Sequence, residues 1–181
     1  MKKLKDPDEP VVTFLLRIAV LGDKQGPILS QLSPNWRFNR ERLAALLEVL
    51  PSDHKYAFEL RDPDWLNDEA YGILQAHNAA LCIYDFHGRQ SPKEVTADFV
   101  YVRLLAPCGA YRGKYSREAL VGWAGASSAW LRQGRDVYCY FDNDEAAYAA
   151  QNAQELQGLV AGEDAHTVDR QHGGTNGIDG F

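Results

Sequence analysis

From residue 27 onward, short apolar runs alternate with longer stretches in which leucine, alanine and tryptophan return every three to four positions. A period near two marks a strand, and a period near 3.6 marks a helix with one buried face. On that basis the sequence predicts strands at 27–32, 55–61, 79–85, 98–105 and 136–141, and helices near 10–21, 39–50, 66–77, 116–133 and 144–160. Regular alternation of strands and helices requires right-handed crossovers and gives a parallel sheet. The predicted fold class is therefore α/β.

Local signals agree with these elements. Asn39 precedes ERLAALLEVL, with Pro51 as its stop; Ser116 opens the helix that carries Leu120, Trp123 and Trp130; Asn143 or Asp144 is placed to cap EAAYAAQNAQEL. Trp123 and Trp130 share a helix face and are expected to pack on the sheet. Trp36 and Trp65 each follow a strand and precede a helix, a position from which a ring can line a site. From Ala161 the chain turns polar and Gly-rich, so the reading is one domain over 1–160 and a disordered tail over 161–181. His166 and His172 in that tail are too few to hold a metal well.

The exceptions to the apolar pattern carry the chemistry. In KYAFELRDPDW, Ala57, Glu59 and Arg61 share one face of a strand, and Tyr56, Phe58 and Leu60 the other. Both faces of a helix-covered parallel sheet are ordinarily apolar, so a Glu and an Arg there call for a role. The pattern recurs: Gln31 lies late in GPILSQLS, Asp85 late in AALCIYDF, and Arg103 in FVYVRLLA. Open α/β sheets and barrels collect ligand-binding groups at such positions. Four strands with one pattern predict a shared site. Each residue alone also fits a capped strand end or an ion pair, and Glu59 with Arg103 is a candidate buried pair without chemistry.

Charge and composition narrow the classes. A length of 181 residues suits one domain of ordinary size. The net charge of -6 argues against a broad nucleic-acid footprint. No apolar run approaches the roughly 18 residues of a membrane span, and MKKLKDPDEP lacks the apolar core of a signal peptide. A cytoplasmic protein away from membranes is expected. Cys82, Cys108 and Cys139 show neither CxxC nor Cys/His spacing, so neither a zinc site nor a disulfide framework is predicted. Cys82 and Cys139 read as buried strand thiols.

Taken in order, GPILSQLSPNW, YAFELRDPDW, AALCIYDF, TADFVYVRL, YRGKYS and DVYCYFDND resemble the YecE-like family, domain of unknown function 72, over residues 1 to about 160. The resemblance implies a parallel (β/α) TIM-barrel-like fold. These segments would be the fourth through eighth strands, leaving an incomplete barrel of about five βα units of eight. MKKLKDP is similar to an internal segment that follows the family's third strand, which implies a truncated form. Outer strands exposed in this way predict self-association through sheet edges, or completion by a partner chain. Two departures bear on activity: QLSP stands where relatives carry QLPP, and Leu105 and Ala106 stand where they carry a His-Gly pair. Asp142 replaces the first Asn of the usual FNND.

In such a barrel the pocket lies at the C-terminal strand ends. Glu59 or Asp85 is the candidate general acid or base, because carboxylates in unlike surroundings can be pushed to different pKa values. The candidate substrate-binding set is Gln31, Arg61, Arg103, Tyr111, Tyr115, Tyr140 and Asn143. Arg61 and Arg103 suit an anionic oxygen, since a planar guanidinium binds phosphate or carboxylate in bidentate fashion. The expectation is a hydrolase of a phosphate-bearing or sugar-like small molecule in the full-length relative, inactive in this chain. No cofactor is expected, and carboxylates without a clustered His do not call for Mg or Mn. A second class comes from YRGKYS: Tyr111, Arg112, Lys114 and Tyr115 suit stacking on bases beside phosphates, as in a nucleic-acid-binding or nuclease-like module. The acidic total charge opposes it.

Overall fold

The computed structural model describes residues 7–108 and 111–172, with side-chain surroundings through residue 162. Its strands are β1 (Ile28–Leu32), β2 (Tyr56–Leu60), β3 (Ala80–Phe86), β4 (Arg89–Gln90), β5 (Phe99–Ala106) and β6 (Asp136–Phe141). They hydrogen-bond in the order β1-β2-β3-β5-β6, with the short β4 pairing β3 off that path. The helices are α1 (Asp8–Ile18), α2 (Arg40–Glu48), α3 (Asp68–Ala76), α4 (Arg117–Arg132) and α5 (Tyr148–His172). A parallel sheet flanked by helices is what the alternating pattern predicts, and it is the arrangement of an incomplete (β/α) TIM-barrel-like fold. β4 was not predicted. His87 and Gly88 between β3 and β4 both have positive φ (55° and 69°), as in the tightest hairpin turns, and a His at such a position gives little warning of one.

The described residues pack as two compact units, one drawn from 1–84 and 90–102 and the other from 85–89 and 103–181. In the first, Leu43, Leu46 and Leu47 of α2 and Ala70 and Leu74 of α3 bury against Tyr56, Phe58 and Leu60 of β2. The helices start where side-chain oxygens take up free amides: Asn39 accepts from Arg42 N–H and Asn67 from Ala70 N–H, each at 2.9 Å. Trp36 and Trp65 join this core instead of lining a site. Trp65 is fully buried, donates its indole N–H to the Trp36 carbonyl, and meets the Trp36 and Phe38 rings edge-on at 5.3 and 5.1 Å. The predicted helix over 10–21 starts at Asp8 and tightens into a 3₁₀ turn over Ala19–Lys24, where Gly22 adopts φ 49°.

In the second unit, α4 buries Leu120, Trp123 and Trp130, and Ser116 caps it by accepting from Ala119 N–H at 3.2 Å. α5 follows a 3₁₀ turn over Glu145–Ala147 that Asp144 does not cap with its side chain. Asn143 Oδ1 accepts no hydrogen bond from the described residues, so neither predicted cap serves as one. The α5 backbone runs on to His172, so helix covers part of the segment read as a tail; residues 173–181 of that segment, and the side chains of His166 and His172, lie outside the described residues. Cys82 is buried, as expected. Cys139 keeps part of its surface open because β6 ends the strand order, yet burial pushes its thiol up to about 12. Among the described residues no helix is long and apolar enough to cross a membrane.

Candidate functional site

β1 and β2 align in parallel with Gln31 opposite Glu59 and Leu32 opposite Leu60. Period-two alternation therefore sets Gln31 and Glu59 side by side on one face, while Phe58 and Leu60 enter the helix-covered core on the other. Glu59 is completely buried. Arg61, just past the end of β2, donates its Nε–H to Glu59 Oε1, and Cys82 Sγ stands 4.0 Å from Oε2. Two opposite charges removed from water in this way compensate each other through a charge-assisted bond.

Tyr84 is a member of this group that sequence reasoning missed. β2 pairs β3 with Ala57 opposite Ala80 and Phe58 opposite Leu81; the same register sets Cys82 beside Glu59 and Tyr84 beside Arg61. The Tyr84 hydroxyl donates to the Leu60 carbonyl at 3.5 Å, and burial raises it above the ordinary phenol value, with the Glu59 charge adding to the effect. The signal was available in IYDF, where Tyr84 alternates with the more conspicuous Asp85. That alternation puts Asp85 on the strand face of Leu81 and Ile83, away from that of Cys82 and Tyr84.

The remaining candidates lie in the second unit. Asp85 is buried, and its backbone carbonyl accepts from the Tyr115 hydroxyl at 3.4 Å. Arg103 donates to the carboxylate of Asp142. Asn143 is fully buried, and its Nδ2 donates to the Gly113 carbonyl at 2.9 Å and to Asn152 Oδ1 at 3.0 Å. Asn152 Oδ1 accepts from Tyr115 N–H at 3.1 Å, and its Nδ2 donates to the Tyr115 carbonyl at 3.2 Å. Two asparagines thus tie residues 113–115 of the β5–α4 loop to the start of α5.

Tyr115 is buried, and burial pushes its hydroxyl far above the usual phenol value. Tyr111 and Tyr140 are exposed. YRGKYS therefore offers one open ring, Tyr111, which lies 6.2 Å from Phe86. Gly113 is needed in this loop. It has φ 90°, and a Cβ there would stand 3.3 Å from that of Cys108. Asn152 was missed because a single Asn within AAQNAQEL reads as an exposed helix residue. Asn152→Ala removes both ties to Tyr115 and one of the two acceptors of the Asn143 amide. A loss of about 1–3 kcal/mol is expected in urea unfolding, together with faster hydrogen exchange at the Tyr115 amide.

Among the described residues no cluster of three or more His, Cys, Asp or Glu is placed to hold a metal ion. The groups assembled at the strand ends are carboxylates, guanidiniums, amides and phenols, the equipment of proton transfer and anion binding.

A parallel sheet with such groups late in its strands defines a TIM-barrel-like α/β domain. The sequence matches the family described as Protein of unknown function DUF72 over residues 1–174, and the chain belongs to that family. Among solved structures it is similar to a DUF72 family protein from Thermotoga maritima MSB8, at 24% identity and a TM-score of 0.73, covering 87% of this chain and 66% of that one. A DUF72 family protein from Enterococcus faecalis V583 is similar at 18% identity and a TM-score of 0.72, covering 85% and 66%. The chain thus spans just under two thirds of each, and at these identities the likeness concerns the fold. No curated protein matches the sequence.

Proposed function

We propose that Gln31, Glu59 and Arg61, with Tyr84 beside them, bind an anionic small molecule that is phosphate-bearing or sugar-like. The supporting observation is the fully buried Glu59 carboxylate joined to Arg61 at the end of a parallel strand, with an amide in register beside it. A guanidinium presents five donors in a planar fork, a geometry that suits two oxygens of a phosphate in addition to a carboxylate. Glu59 then takes the role of general acid or base, and Arg61 orients the anion. In the complete family fold the corresponding reaction class is hydrolysis of a phosphate ester. Arg103 with Asp142 is a second pair of the same chemistry within the other unit.

Titration with inorganic phosphate, followed by backbone-amide NMR shifts, tests this reading. Saturable shifts are expected at Gln31, Glu59 and Arg61. Arg61→Lys is expected to weaken binding by roughly tenfold, because a single ammonium does not reproduce the bidentate fork. Absence of shifts at these positions, or equal affinity in Arg61→Lys, overturns the proposal.

A further inference from the structure

At the opposite end of β2 from Glu59, the first unit opens a cleft of about 440 Å³. That volume lies within the roughly 300–1,000 Å³ of small-molecule sites. The cleft is built from two crossovers. The last turn of α2 contributes Leu47, the last turn of α3 contributes Gln75, and the loops that follow bring Ser52, His54 and Asn78 around Tyr56. Both helices bring their C-terminal ends to the cleft, where the Leu47 carbonyl accepts from Leu50 N–H and the Gln75 carbonyl from Asn78 N–H, which leaves recognition to the side chains.

Three features limit what fits there. The Tyr56 hydroxyl is buried with no hydrogen-bond partner among the described residues, and a buried polar group in that condition is costly unless something binds it. Burial, with Asp53 adding to it, pushes Tyr56 up to about 12, so near neutral pH the group is a protonated donor that also accepts. Among the described residues no lysine, arginine, aspartate or glutamate lines the cleft, whose ionisable side chains besides Tyr56 are the imidazoles of His54 and His77, and without a fixed charge of either sign it favours a neutral ligand. The side chains around Tyr56 are already oriented: His54 Nδ1 meets Gln25 Nε2 at 3.1 Å, and Asn78 Oδ1 accepts from Asp98 N–H at 2.9 Å, which aims its NH₂ as a donor.

We propose that this cleft binds a small neutral polyol of monosaccharide size, held by the Tyr56 hydroxyl and the amides of Gln75 and Asn78. Hydroxyl groups both donate and accept, and so match a wall of amides, phenol and imidazoles that holds no lysine, arginine or carboxylate. The apolar side of Leu47 and Leu50 receives the carbon face of the ring. The site is independent of the strand-end group at Glu59.

The test uses the whole chain with D-glucose and myo-inositol as neutral probes, and sodium phosphate and methylammonium chloride as charged ones, each followed by amide NMR shifts. Saturable shifts at Ser52, His54 and Gln75 are expected with a neutral probe and not with a charged one. Tyr56→Phe is expected to weaken that binding roughly tenfold without lowering the melting temperature, because the hydroxyl it removes has no partner in the free protein. Gln75→Ala, at an exposed helix position, supplies the same comparison if Tyr56→Phe unfolds. Silence from both polyols, stronger shifts of these amides by a charged probe, or unchanged affinity in both variants overturns the proposal.

Discussion

Arg61→Ala is expected to destabilise the chain by about 3–5 kcal/mol in urea unfolding. Glu59 is completely buried, and Arg61 supplies the charge-assisted bond to its Oε1. Removing the guanidinium leaves a carboxylate inside the protein without that compensation. The double change Glu59→Leu with Arg61→Ala removes both charges and is expected to recover much of the loss, because replacing a buried pair by apolar groups is often near neutral. A single-variant loss below about 1 kcal/mol would mean that water screens the pair as it does at a surface. That result would also weaken the case for a desolvated anion site at this strand end.

The second large effect is expected at Trp65. Trp65→Ala deletes a fully buried indole that packs edge-on against Trp36 and Phe38, and it strips the Trp36 carbonyl of its donor. Core truncations of this kind cost about 3–5 kcal/mol, and the cost grows with the cavity left behind. Trp65→Phe keeps most of the ring and loses the N–H, so about 1 kcal/mol is expected for the hydrogen bond, beyond any change in packing. Calorimetric melting of the two variants separates these contributions. If Trp65→Phe were as damaging as Trp65→Ala, the indole N–H and not the ring volume would dominate.

The carbonyl of Trp36 and the indole of Trp65 are 29 positions apart, so neither residue's environment is visible in its neighbours along the chain. That is why both rings, read from sequence, were open to a site-lining role. Asn143 shows the same limit. Its place before a helix fits a cap, but folding brings Gly113 and Asn152 within hydrogen-bond reach, and those partners take its amide. Tyr84 was passed over in favour of Asp85, although strand alternation alone separates the two faces once the pairing of β2 and β3 is known. The β4 turn depends on positive φ at His87, a conformation available to His but rarely announced by it.

By itself, the sequence determined the order and type of elements in the parallel path, the caps at Asn39 and Ser116, and the placing of Glu59 on one face of β2 with Arg61 two positions on, just past the strand end. These follow from period, propensity and side-chain reach over a few residues, which are local properties. Tertiary structure alone decided which polar groups meet: Gln31 and Tyr84 around the Glu59–Arg61 pair, Asp142 on Arg103, and Asn143 and Asn152 on the loop before α4. It alone also opened the cleft around Tyr56. Such meetings depend on register and on distances between residues far apart in the chain, and desolvation makes the choice of partner energetically decisive only after folding has excluded water.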